Sequence, residues 1–360
     1  MIRILQIVDH MGLGGIQAFI MNVYRNIDRR ELQFDFLVHK TEGNYFQKEI
    51  ESLGGKMFYV PARSQGFLKN RRALDKFFKE HTEYKVVHQH ESSLSYIEPL
   101  IAAKNNGVPV RVIHSHSTRM GESKIHKILH LFNAKYIHKI ATHYLACGDM
   151  AGKWFYGTSR VKDNFTIVIN GISLKDFEYN EELRKEVRKE LDLNDDFTVC
   201  HIGRFDWVKN HTFLIDIFNE ITKLNPNSKL VLVGQGVLID DIMKKVRKLG
   251  LTDRVLFLGL RSDINKIVQA VDVVLLPSIY EGFPVTAIEA QASGLPLFMS
   301  DTIPKEAIIK ENAYALSLKT SAEEWASIIL ENSTRCINNT KMKSFDIGET
   351  IKVLSLIYGR

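Results

Sequence analysis

The chain predicts an α/β protein of two Rossmann-like domains. Short apolar, β-branched runs alternate with helix-length segments from end to end, the pattern of parallel sheets buried on both faces. A length of 360 residues is also more than one ordinary core serves, and it suits two domains of about 150–180 residues.

The first series opens with IRILQIV (2–8), followed by the glycine-rich GLGG and a helix beginning near Ile16. FDFLVH (34–39), VVHQH (86–90), VRVIHSH (110–116), HYLACG (143–148) and FTIVING (165–171) complete it. The second series runs through FTVCHIGR (197–204), KLVLVGQG (229–236), VLFLG (255–259), VVLLPS (273–278) and LPLFMS (295–300). Between the two lies a turn signal followed by a polar, charged stretch, NGISLKDFEYNEELRKE (170–186), which places the linker near 172–180. The expected domains are therefore 1–172 and 173–344. A terminal helix over 345–360 sets Ile351, Leu354 and Tyr358 on one face, and that face returns it toward the first domain. Ligands of such sheets bind beyond the carboxyl ends of the strands.

A composition of 45% apolar and 25% charged residues is that of an ordinary globular protein. The N-terminus carries no leader-like pattern, and no apolar run approaches the roughly 18 residues that would span a bilayer. Cys147, Cys200 and Cys336 are far apart, which fits a reduced, cytoplasmic setting and offers no zinc-ligand spacing. Charge is uneven. Residues 1–178 hold 25 Lys and Arg against 17 Asp and Glu, the remainder 23 against 25, and eleven of thirteen histidines fall in the first half. A basic first half suits nucleic acid, an anionic membrane surface or a phosphorylated lipid. Two basic stretches, 63–80 and 124–144, interleave cations with apolar residues. They either meet such a surface or pack their apolar faces on the sheet.

Three segments carry candidate chemistry. MGLGGIQAF (11–19) puts Gly14 and Gly15 between a strand and a helix, where missing Cβ atoms admit a phosphate or sugar, although a plain tight turn reads equally well. HIGRFDWVKNH (201–211) ends a strand at Gly203 and adds Arg204 and Lys209. Two cations near a helix start suit a diphosphate, though a charged surface loop would look similar. SIYEGFPVTAIEAQASGLP (278–296) places Glu281 in a loop after a strand and Glu289 on the following helix. Carboxylates accept paired hydrogen bonds from hydroxyls, so the spacing suggests grips on two parts of one hydroxylated ligand.

Taken together, Glu-x7-Glu, GRFDWVKN, GLGG and NGI, in this order along the whole chain, resemble the retaining nucleotide-sugar glycosyltransferases of family 4. These have the GT-B fold, two Rossmann-like domains facing across a cleft, and the bacterial capsule and exopolysaccharide enzymes are the most similar in flavour. The resemblance implies that Arg204 and Lys209 bind the donor diphosphate and that Glu281 faces the sugar hydroxyls. It implies donor contacts at Gly203, Gly282, Phe283, Pro284 and Val285, and ribose contacts at Glu289. Gly14 and Gly15 close over the donor phosphate. A histidine at the end of the fourth strand lies by the transferred sugar, and either His114 or His116 fits that place.

The implied reaction uses a nucleotide sugar, with UDP the expected nucleotide, as a substrate. It needs no cofactor, and the absence of any Asp-x-Asp agrees with no metal requirement. The implied acceptor is a lipid-linked saccharide met by the basic first domain, peripheral on the inner face of the cell membrane, with no role for nucleic acid. The alternatives are a nucleotide-sugar epimerase, which has a different motif set, and a non-catalytic nucleotide-sugar or RNA-binding protein.

Overall fold

The structure, a computed structural model, describes residues 1–117 and 123–359. It forms two compact units, one of Met1–Gly171 with Ile347–Arg360 and one of Ile172–Asp346.

The first unit is a seven-stranded parallel sheet in the order β3-β2-β1-β4-β5-β6-β7. Its strands are β1 (Ile2–Ile7), β2 (Leu32–Val38), β3 (Met57–Tyr59), β4 (Val86–Glu91), β5 (Val110–Ser115), β6 (His143–Ala146) and β7 (Thr166–Ile167). Every residue of β2 is buried, because helices cover both faces. One face packs Phe19, Tyr24 and Phe34, and the other packs Leu74, Phe78 and Leu100. The last helix, Ile347–Ile357, buries Ile347 and Leu354, and with Tyr358 it joins the core of this unit beside Phe34 and Val86.

The second unit repeats the plan with six strands in the order β10-β9-β8-β11-β12-β13. These are β8 (Phe197–Ile202), β9 (Ser228–Val233), β10 (Val255–Gly259), β11 (Val273–Leu276), β12 (Leu297–Ser300) and β13 (Ala313–Leu316). In both sheets the strand order reverses between the first strand and the fourth, which opens a crevice at their carboxyl ends. The helix Val285–Ala292 stops at Gly294, whose φ of +78° suits glycine. A Cβ there would also lie 2.7 Å from the Cys336 carbonyl oxygen. No helix among the described residues is long and apolar enough to cross a membrane.

Candidate active site

In the second unit the site grows from the ends of β8 and β11, neighbours at the reversal of strand order. Just beyond β8 and β9 the backbone is packed too closely for a Cβ at Gly203 and Gly234. A Cβ on Gly203 would meet His201 Nε2 at 2.9 Å, and one on Gly234 would meet the Gly203 oxygen at 2.1 Å. Asp206 then caps a short 3-10 turn, accepting from the Val208 and Lys209 amides at 3.1 and 3.2 Å. That cap aims Lys209 inward, and its Nζ donates to Glu281 Oε1. Ser278 Oγ donates to the same oxygen at 2.8 Å. The Ile279 amide bonds to the Val208 carbonyl at 2.7 Å, and Asn210 Nδ2 bonds to the Pro277 carbonyl at 3.1 Å. The loops after β8 and β11 are thus joined, and they bring Lys209 and Glu281, 72 residues apart, into one ion pair.

Arg204 stands differently. Its Nε reaches Asp206 Oδ2 at 2.7 Å while its side chain remains 73% exposed, open to a solution anion. Gly282, Phe283, Pro284 and Val285 form the entry to the helix Val285–Ala292, which has no side-chain cap. Its first amides therefore keep the partial positive charge that favours an anion. Phe283 stacks on Phe345, with ring centroids 6.1 Å apart, and so holds that turn. Glu289 lies in the helix's second turn, and burial raises its carboxyl to about 7, although the residue keeps some surface exposure. Two histidines back the site. His201 Nδ1 donates to the Leu275 carbonyl at 2.7 Å, and His211 stacks on Phe205. Burial lowers both, His211 to about 4. Nothing in the charge pattern marked Asp206, His201 or His211 beforehand, except that Asp206 stands where a helical turn would take its cap.

The first unit contributes a second cluster. Register pairs His90 on β4 with His114 on β5, and alternation adds His88 and His116 to the same face. The ring centroids of His114 and His116 are 4.0 Å apart, and Phe19 packs against His90, His114 and His116. His114 is sealed at 0% exposure, whereas His116, one residue beyond β5, keeps partial exposure. Desolvation keeps all four neutral, with His116 lowered to about 3. Sequence reasoning found His114 and His116 and passed over His88, His90, Gln6 and Tyr358. The matching alternation in VVHQH and IHSH was the available signal.

Gly14 precedes the helix Gly15–Asn26 in extended conformation, φ −174°. A Cβ on Gly15 would meet nothing within 4 Å, while one on Gly14 would strike Gln17 Oε1 at 2.5 Å. The open space thus lies at Gly15. A cavity of about 420 Å³ in the same unit is lined by Asp9, His39, Arg63, Ser95, Tyr96 and His126, among others. The larger hollow of the second unit, about 860 Å³, lies at the opposite ends of the strands, beside Phe197 and Asp272. There Arg184 and Arg188 bond to Asp272 and to backbone carbonyls, so that region is a structural clamp.

Comparison with known proteins agrees with this architecture. Residues 13–176 match the model of Glycosyltransferase Family 4, and residues 183–340 match that of Glycosyl transferases group 1. The chain is 34% identical over 361 residues to the putative glycosyltransferase EpsF of Bacillus subtilis (strain 168), covering 98% of this chain and 92% of that one. It is 29% identical to the UDP-Gal:alpha-D-GlcNAc-diphosphoundecaprenol alpha-1,3-galactosyltransferase of Escherichia coli, over 83% of this chain and 79% of that one. Anabaena HepE, solved with UDP and glucose, superposes with a TM-score of 0.83 at 18% identity, covering 99% of both chains. With its two parallel-sheet units and a near full-length relative at this identity, the chain belongs to the glycosyltransferases of family 4, with the GT-B fold.

Proposed function

We propose that this glycosyltransferase moves a sugar from a UDP-sugar to a lipid-linked saccharide, with retention at the anomeric carbon, in capsular or exopolysaccharide synthesis. The observation that carries the reading is the charge arrangement at the ends of β8 and β11. Exposed Arg204, Lys209 and the uncapped helix start at Pro284–Val285 bring donors together there, the two cations held by Asp206 and Glu281. UDP and a diphosphate-linked acceptor are the chemistry named for HepE and for the E. coli relative.

In this reading Arg204, Lys209 and the helix amides take the diphosphate. As the bond from the anomeric carbon to the phosphate oxygen breaks, its electron pair stays on that oxygen, and the three groups stabilise the charge without a metal ion. The acceptor hydroxyl adds from the same face and passes its proton to the departing phosphate oxygen. Glu281 accepts hydrogen bonds from sugar hydroxyls and Glu289 from the ribose. His116, the accessible member of its pair, is the first unit's contact to the substrate, with Gly14 and Gly15 admitting the phosphate.

The same reading gives the first unit an anionic membrane surface. On the helix Lys124–Ile140, Ile125, Ile128, Phe132 and Tyr136 are 69, 67, 58 and 44% exposed. Lys124, Lys127, Lys135 and Lys139 are exposed on the same helix. Apolar residues facing water among lysines are the composition of a helix that lies in a headgroup layer, and the 420 Å³ cavity beside it supplies room for the acceptor.

Calorimetric titration of UDP and UDP-sugars, with EDTA present, tests the donor assignment. Wild type binds, and Glu289→Ala weakens binding at least roughly tenfold, the loss of one charged hydrogen-bond acceptor to a ligand. Failure of wild type to bind UDP or any UDP-sugar overturns the assignment. The anomeric coupling of the product, read by NMR, decides between retention and inversion.

A further inference from the structure

Within the first unit, hydrogen bonds run through Gln6, Tyr358 and four histidines, and the directions from Gln6 to His116 can be worked out. Gln6 sits on β1 at 1% exposure, and its Oε1 contacts His90 Nε2 at 2.8 Å. An amide oxygen only accepts, so His90 Nε2 carries the hydrogen. Because burial keeps His90 neutral, its Nδ1 is bare and must accept. The group facing that nitrogen at 2.9 Å, His116 Nε2, therefore donates. His116 is neutral as well, so its other nitrogen, Nδ1, has no hydrogen.

Beside this run Tyr358 Oη lies 2.6 Å from His88 Nδ1, and His88 Nε2 lies 3.2 Å from His114 Nδ1. The two rings are therefore matched, one nitrogen of each facing pair carrying the hydrogen and the other accepting it. One amide thus sets the hydrogens on His90 and His116.

We propose that Gln6 is a positioning residue: by fixing these tautomers it makes His116 meet a substrate hydroxyl with a lone pair at Nδ1, as an acceptor, and never with an N–H. The assignment rests on the reading that His116 touches substrate. A competing use of the cluster is metal binding, since ring nitrogens of His88, His90 and His114 lie within 4.8 Å of one another. Five of those six nitrogens are already engaged in the bonds just traced, and the sixth, His114 Nε2, lacks a partner among the described residues. A metal would have to dismantle the chain.

The test is ring-nitrogen NMR of the full chain with 15N-labelled histidines, with His116 assigned by its loss in His116→Gln. Wild type should show a bare Nδ1 and a protonated Nε2 at His116. Gln6→Glu keeps an acceptor toward His90 and should keep that pattern. Gln6→Met removes the acceptor, so a second His116 tautomer with hydrogen on Nδ1 should appear. Should Gln6→Met fail to fold, Gln6→Asn, which draws the amide back by one methylene, gives the same readout. In turnover, Gln6→Met should lose roughly five- to tenfold in kcat, the worth of about one hydrogen bond, with KM for the donor little changed. A protonated Nδ1 or an imidazolium at His116 in wild type overturns the proposal. So does an unchanged His116 spectrum in Gln6→Met, or one equivalent of transition metal in the purified protein. If the tautomers shift as expected while no sugar is transferred, the proposed function fails and the tautomer assignment stands.

Discussion

Lys209 and Glu281 neutralise each other with side chains only 20 and 13% exposed, so neither charge is free of its partner when a ligand arrives. A diphosphate would draw Lys209 toward itself and release Glu281 to accept hydroxyls, which couples the two grips. Lys209→Ala should therefore do more than remove one cation, because it takes the ion-pair partner from a partly buried carboxylate. We expect kcat/KM to fall on the order of 100- to 1000-fold, as for loss of a preorganised charge stabiliser, with Lys209→Arg recovering part of it. A steady-state assay with the best UDP-sugar decides, and activity within threefold of wild type would remove Lys209 from the mechanism. Arg204, Lys209 and Glu281 could be singled out in the sequence because charges beyond strand ends stand out against apolar runs, and Glu289 by its eight-residue spacing from Glu281. Gln6 could not. A lone amide in IRILQIV looks like a flaw in a strand until register sets it beside His90, and register is a property of two strands.

The long buried strands announced themselves through continuous β-branched runs, whereas two edge strands did not. β3 is three residues, MFY, and β13 is AYAL. Such short pieces, one of them alanine-rich, have little strand preference of their own and are held by pairing with β2 and β12, where context outweighs propensity. The helix Lys124–Ile140 departs from its bland reading too. Spacing allowed its apolar face to pack on the sheet, yet only His130, Ala134 and Ile137 are buried. With Phe132 at 58% exposure, Phe132→Glu should leave folding and turnover of a soluble acceptor analogue unchanged while reducing cosedimentation with anionic vesicles several-fold, since a charge replaces inserted apolar area. Equal sedimentation of the two proteins would refute membrane docking through this helix.

Across the whole molecule, buried titratable groups give stability a predictable pH dependence. His88, His90, His114, His116, His201 and His211 are all held neutral by burial. The unfolded chain takes up protons at these positions below about pH 6.5 and the native chain does not, so stability falls as pH drops, by about 1.4 kcal/mol per unit for each histidine. Glu91 and Glu289 act in the other direction. Burial raises them to about 8 and about 7, so the native chain keeps protons that the unfolded chain releases near pH 4.3, and stability declines as pH rises toward those values. The histidines outnumber the carboxyls, so the urea midpoint should fall steeply from pH 6.5 to 5 and more gently from 7 to 8. A flat midpoint between 6.5 and 5 would contradict the assigned neutral forms.

The chain leaves the first unit at Gly171 and supplies that unit's last helix only from Ile347 onward. Seen from the ribosome, the two units mature in an order opposite to their start. The second unit is one contiguous stretch and can close as soon as it has emerged. The first must wait, half built, while the intervening 172–346 segment is made, roughly 10–35 s at about 5–20 residues per second. Through that interval Phe34 and Val86 lack the cover of Leu354 and Tyr358, a sticky surface exposed in the nascent chain. His88 acquires its tyrosine hydroxyl only after the whole second unit has been made, so a chain arrested before residue 358 would carry a second unit able to fold and a histidine cluster not yet wired.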